Sequence, residues 1–244
     1  MLRKLAITVI LALALTFMSL GPFEFWGINQ AAAEPSHVVI NQIQVTGGSG
    51  HTTEDFIELF NPTATAFDLS GHRLVKRTAT GASDTTIKSW TTSTLIPAYG
   101  FYLWANTAFA TIAVTPDAST GESIADNNSV ALRRGAADTG EIIDAVGWGT
   151  ATNALVEGTA FATNPGVNEA IARLSPSTGS RQDTENNSVD FALQASATPH
   201  SSASQVEAPA GTPGGTGGSS GGGGGNSLGS TPSGPKPGEV VINE

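Results

Sequence analysis

The chain has 244 residues, with Lys+Arg 11 against Asp+Glu 21, a formal net charge of -10 and a pI near 4.7. So few cations cannot neutralise many phosphates, which argues against nucleic acid or an anionic membrane surface as the partner. The sequence contains no cysteine, so a disulfide framework, a Cys-ligated metal centre and a thiol nucleophile are all excluded.

The chain opens Met1-Leu2-Arg3-Lys4, followed by an uncharged apolar run from Leu5 to Leu20 and then Ala31-Ala32-Ala33. A basic start, an apolar run and a small-residue cleavage site, in that order, describe a secretory signal helix over residues 1–33, with Glu34 as the mature start. The long gap between Leu20 and Ala33 leaves an uncleaved anchor as the alternative, although the run is short for a full span. Either way the expected location is outside the cytoplasm, extracellular or at the cell surface, and any membrane contact is confined to this segment.

Residues 36–199 read as a series of short strands. Val39 to Val45 alternates with period two, and so does Asp55 to Asn61, where Ile57 and Leu59 share one face and Phe56, Glu58 and Phe60 the other. Pro62 stops that strand. Further strand-like segments are His72–Lys76, Thr86–Trp90, Phe101–Trp104, Val130–Arg133, Glu141–Val146, Ala170–Leu174 and Val189–Leu193, separated by Gly, Asn, Asp and Pro turns. The turn-rich stretch between Trp148 and Asn168 reads as a surface excursion. The fold class is therefore all-β, an antiparallel β-sandwich with one core.

Residues 200–238 are dominated by Gly, Ser, Thr and Pro and read as a flexible, disordered Gly-rich linker. Glu239-Val240-Val241-Ile242-Asn243-Glu244 then resumes strand character and repeats the V-V-I-N of residues 38–41. Its place after the linker predicts the start of a second copy of the domain in a chain that continues.

Few residues point to chemistry. Asp144 and Arg173 are charges set in apolar strands; a buried carboxylate needs partners, so the two are expected to hold the fold together. His37, His51, His72 and His200 show no zinc-ligand spacing. In Asp183-Thr184-Glu185-Asn186-Asn187-Ser188-Val189-Asp190, the oxygens of Asp183, Glu185, Asn187 and Asp190 could coordinate calcium, although the Gly and Glu that a calcium-binding helix–loop–helix needs are absent. The alternative is a loop of Asx turns. Trp148, between Gly147 and Gly149, is the candidate exposed platform for stacking against a sugar ring.

Several pieces in this order resemble one family. V-V-I-N-Q-I (38–43), D-F-I-E-L-F-N-P (55–62), D-L-S-G-H-R-L (68–74), I-P-A-Y-G-F-Y-L-W-A (96–105), G-E-I-I-D-A-V-G-W-G (140–149), A-I-A-R-L (170–174) and D-T-E-N-N-S-V-D-F (183–191) are similar to the lamin tail domain, in its prokaryotic exported type. The resemblance implies an Ig-like sandwich. It also implies a domain that occurs in tandem or beside secreted nucleases, phosphatases or proteases. The expected function is a non-catalytic extracytoplasmic binding or spacer module, probing a cell-surface polymer or protein and needing no cofactor. The alternative is an accessory domain of a secreted hydrolase whose catalytic part lies beyond residue 244. A calcium-stabilised surface component is a third reading.

Overall fold

The computed structural model describes residues 34–110 and 112–210. The expected signal segment, the greater part of the expected linker and the expected repeat at 239–244 lie outside the described residues. Twelve strands and one helical turn follow in chain order: β1 (Val39–Gln44), β2 (Phe56–Phe60), β3 (Phe67–Asp68), β4 (His72–Arg77), β5 (Thr85–Ser89), β6 (Leu95–Ile96), β7 (Phe101–Asn106), β8 (Ala118–Thr120), β9 (Ser129–Arg134), β10 (Glu141–Gly147), β11 (Ala170–Arg173), α1 (Asn187–Asp190) and β12 (Phe191–Gln194). They form a six-stranded sheet in the order β12-β11-β1-β2-β7-β8, a four-stranded sheet β10-β9-β4-β5 and a two-stranded β3-β6 pair. All pairings are antiparallel except β7 with β8.

The core lies between the two larger sheets. Ile40, Ile43, Ile57, Leu59, Tyr102, Trp104 and Ile171 from one meet Leu74, Ile87, Val130, Leu132 and Val146 from the other. Each such side chain, fully buried, contributes about 1.5–3 kcal/mol of transfer free energy. Trp90 and Tyr102 are joined inside this core by an indole N–H to phenol oxygen bond of 3.0 Å.

Strict alternation along the first strand does not hold. The β1–β2 register slips between Ile40 and Gln42, so Asn41 is an extra residue. That bulge resets the phase: Val38 and Ile40 face the core before it, Ile43 and Val45 after it. Val39 consequently turns to the opposite face and packs with Phe60 and Phe101. A second bulge between Ile142 and Asp144 makes Ile143 the extra residue of β10. It sets Asp144 opposite the core residue Leu132 and so aims its carboxylate between the sheets.

The outer face of the six-stranded sheet is buried too. Phe56, Leu103 and Ala105 are covered by Phe109, Ile112, Val114 and Ala197. All six residues of β1 and all five of β2 are buried. The polar ones among them are satisfied: Gln42 Nε2 donates to Gln194 Oε1 at 3.0 Å, Gln44 Nε2 to the Glu54 carbonyl at 2.9 Å and Asn41 Nδ2 to Glu58 Oε1 at 2.5 Å.

Three expectations need correction. Val189 and Asp190 belong to the helical turn α1, because the Asn186 side chain caps it by accepting from Ser188 N; the last strand starts at Phe191. The excursion after Trp148 is packed as well as looped: Leu155 is fully buried with Val75, Ala131 and Ala145. Order also extends past residue 199. His200, Ser202 and Glu207 all bond to the sandwich, so the segment expected to be flexible does not begin at residue 200.

Candidate functional site

The densest group of ionisable side chains sits where the β1 bulge meets β10 and β11. Arg173 Nη2 lies 2.8 and 2.9 Å from the two carboxylate oxygens of Asp144, with the side chains 0% and 1% exposed. The expected partnership of these two residues is therefore present, and it links the two sheets. Its placement has a local cause. Ile40 pairs with Leu59 of β2, but the β1–β11 ladder covers only Gln42 and Ile43; on that side the Ile40 N–H donates to Asp144 Oδ2 at 2.5 Å and the Ile40 carbonyl accepts from Arg173 Nε at 2.9 Å. The ion pair thus supplies the donor and acceptor that the missing ladder would have supplied. Arg173 also covers the ring of Phe191 at 4.6 Å.

Three more ionisable groups surround the pair. Arg173 Nη1 donates to Asp183 Oδ1 at 3.1 Å, and His37 Nε2 lies 3.3 Å from Asp183 Oδ2. Glu157 accepts from the Ala145 N–H at 2.9 Å and from Asn187 Nδ2 at 3.2 Å. Burial pushes the Asp144 carboxyl up, while Arg173 and the Ile40 N–H pull it back. Burial, with the Asp144 charge beside it, pushes Glu157 up to about 8. The hydrogen bond to Asp183 raises His37. Burial would raise Asp183, but His37 and Arg173 outweigh it and hold the carboxyl below its usual range.

His37, Asp144 and Asp183 could each offer one ligand atom, all within 4.8 Å of one another. The guanidinium of Arg173 already contacts both carboxylates, however, and fills the role a cation would take.

The four residues of the expected calcium loop are not brought together as a ligand set. Asp183 serves Arg173 and His37. Asp190 accepts from Thr184 N, Thr184 Oγ1 and Asn186 N, at 2.9, 2.8 and 3.2 Å. Asn187 points the other way, donating to the Ala145 carbonyl at 2.9 Å and accepting from Gly147 N, also at 2.9 Å. Glu185 is exposed at a positive φ of 57°. The Asp190 oxygens are engaged by backbone amides and a hydroxyl within the loop, as in the Asx-turn alternative, and the Asp183 oxygens by Arg173 and His37. Adding excess calcium should leave the melting temperature unchanged; a calcium-dependent rise would restore the metal reading.

The expectation for Trp148 is overturned. Its side chain is 0% exposed and its indole N–H donates to the Ala125 carbonyl at 3.1 Å. The flanking glycines suit close packing, not exposure. A Cβ on Gly147 would lie 2.5 Å from Val156 Cγ2, and one on Gly149 2.3 Å from Asn127 Oδ1.

Asn187 and Glu157 also close the free edge of β10. The Asn187 amide engages both Ala145 and Gly147 as a neighbouring strand would, and Phe161 pairs with Gly147 and Gly149 beyond it. Edge strands left open invite pairing with other chains, so this capping keeps the sheet finite.

Asp55 stands apart. It is 0% exposed, Oδ2 accepts from Ile124 N at 2.6 Å, and Oδ1 has no hydrogen-bond partner among the described residues. Burial pushes it up to about 7, against the Ile124 N–H and Lys76. A raised carboxyl favours the folded state only while protonated, so its stabilising effect is complete below the usual carboxylate range and is lost as pH rises toward about 7. Asp55→Asn should raise the melting temperature at about pH 8 and not at about pH 4. An equal effect at both values would contradict this assignment.

Sequence reasoning missed His37, Glu58, Glu157, Arg181 and His200. Glu58 had a signal: like Asp144, it is a charge flanked by apolar residues in a strand.

Comparison with known proteins bears on the whole arrangement. The family model described as Lamin Tail Domain matches residues 31–150. The segments at 170–174 and 183–191 fall outside that match, yet β11 and β12 complete the same six-stranded sheet. A solved structure, a DUF4876 family protein from Bacteroides thetaiotaomicron VPI-5482 at 2.50 Å resolution, is similar with a TM-score of 0.51 and 13% identity, over 73% of this chain and 75% of that one. At that identity the likeness is one of fold. No curated protein matches this chain. Motif order, sandwich architecture and family match agree: over residues 31–150 the chain is similar to the lamin tail domain family.

Proposed function

We propose that the chain is a non-catalytic, exported binding or spacer module of lamin tail type, one of tandem copies on a flexible tether. The observation that carries this reading is how the ionisable side chains are used. Asp144, Arg173, Asp183 and His37 bond to one another and to the β1 bulge. Asp84 lies between Arg77 and Arg133, at 2.6 and 2.7 Å. Groups locked in such pairs are poorly placed to exchange protons with a substrate. The basic N-terminus and apolar run support export, and the V-V-I-N repeat after the Gly-rich stretch supports a second copy. Tandem copies on one tether would gain avidity through effective concentration.

The test is co-sedimentation of the full chain with insoluble cell-envelope polymers, peptidoglycan sacculi and polysaccharides in separate arms. Saturable pelleting with one of them, competed by its soluble fragments, is the expected result. No pelleting with any arm would count against binding to a surface polymer and leave a protein partner to be sought by the same assay on whole envelopes.

A further inference from the structure

Residues 200–209 read by composition as linker, but with Pro199 they cross the outer face of the six-stranded sheet and are fixed at three points. The His200 N–H donates to Glu58 Oε2 at 2.5 Å, and its Nδ1 lies 3.2 Å from the same oxygen. The imidazole stacks on Phe101 at 4.5 Å and 23°. Ser202 N donates to Asp117 Oδ2 at 2.9 Å. The Glu207 N–H donates to the Tyr99 carbonyl at 2.8 Å, and its carboxylate accepts from Arg181 Nη2 at 2.9 Å. Gly179, at φ +78°, permits this approach, since a Cβ there would lie 2.3 Å from the Glu207 carbonyl.

The segment covers a polar core of its own. Glu58 is 0% exposed and takes hydrogen bonds from Asn41 and His200. Arg181 lies over Phe60 at 4.1 Å and donates to Asn41 Oδ1. The charged groups around His200 are Glu58 from β2, Arg181 from the loop after β11 and Glu207 from the segment itself. Asp117, before β8, holds Ser202, and Glu34 accepts from the Arg181 N–H at 3.3 Å. Of the three fixing points only the first contains a histidine.

We propose that residues 199–209 form a pH-dependent latch, closed while His200 carries a proton against the buried Glu58 and released as that proton is lost. Release frees the segment and bares Phe101, the ring that His200 covers, while Arg181 stays over Phe60. The hydrogen bond to Glu58 is the main reason His200 is raised, with burial opposing it. A raised histidine stabilises the closed form fully below its ordinary range and progressively less as pH rises through the raised value. The closed latch is therefore the acidic to neutral form.

Amide hydrogen exchange on the full chain tests this, at about pH 6 and about pH 8.5, bracketing a histidine, with intrinsic rates corrected for. Protection at His200, Ser202 and Glu207 should fall about fivefold at the higher pH, the difference between a charged and a neutral hydrogen bond. Protection at Ile57 and Leu59 in β2 should not change. His200→Gln, a partly exposed position whose replacement leaves the sheets intact, should show the low protection at both pH values. Constant protection in the parent chain, or an unchanged pH response in H200Q, would overturn the latch.

Discussion

Asp144→Ala should destabilise the domain by about 3–5 kcal/mol, the cost of leaving one member of a buried ion pair without its partner. Two things fail together. Arg173, with its side chain 0% exposed, keeps its charge with only Asp183 left beside it, and the Ile40 N–H at the bulge loses its acceptor. Most single domains have only about 5–15 kcal/mol of net stability, so this variant should be close to unfolding at growth temperature. Urea denaturation gives the readout as a lower midpoint with an unchanged slope. The double variant D144A/R173M removes both charges and should recover part of the loss, since well-packed apolar replacements of buried pairs are often tolerated. A single variant as stable as the parent would mean that the pair does not bridge the sheets.

Trp148→Ala should cost about 3–5 kcal/mol, as removal of a large buried aromatic does. The residue continues β10 into the core, is 0% exposed, and its neighbours Gly147 and Gly149 pair with Phe161. Truncation would leave a cavity between the sheets and strand the Ala125 carbonyl that accepts its N–H. Trp148→Phe should cost less, because most of the volume is kept. If Trp148 were instead a ligand platform, alanine would leave the denaturation midpoint in place and abolish polymer binding alone.

These two residues also show what the sequence made legible and what it did not. Asp144 and Arg173 stood out because charge inside an apolar strand requires a partner, and that requirement is local in sequence. Trp148 misled because flanking glycines are compatible with exposure and with tight packing, and only the approach of Val156 and Asn127 decides between them. The longer strands were readable from alternation and turn residues. The bulges at Asn41 and Ile143 were not, since one extra residue in a strand leaves composition unchanged. The strands β3, β6 and β8, two or three residues long, are shorter than the pattern that signals a strand. Residues 200–209 lack apolar content and look like tail; they are held by Glu58, Asp117, Arg181 and Tyr99, whose positions depend on the completed fold.

Titration calorimetry of the full chain with a solubilised envelope polymer tests the central claim most directly, because binding and turnover give different heat traces. A non-catalytic module should give discrete heats that saturate in proportion to the protein present. Sustained power that persists until the polymer is consumed, and scales with protein concentration, would mean that the domain is an enzyme and that its paired carboxylates do more than hold the fold.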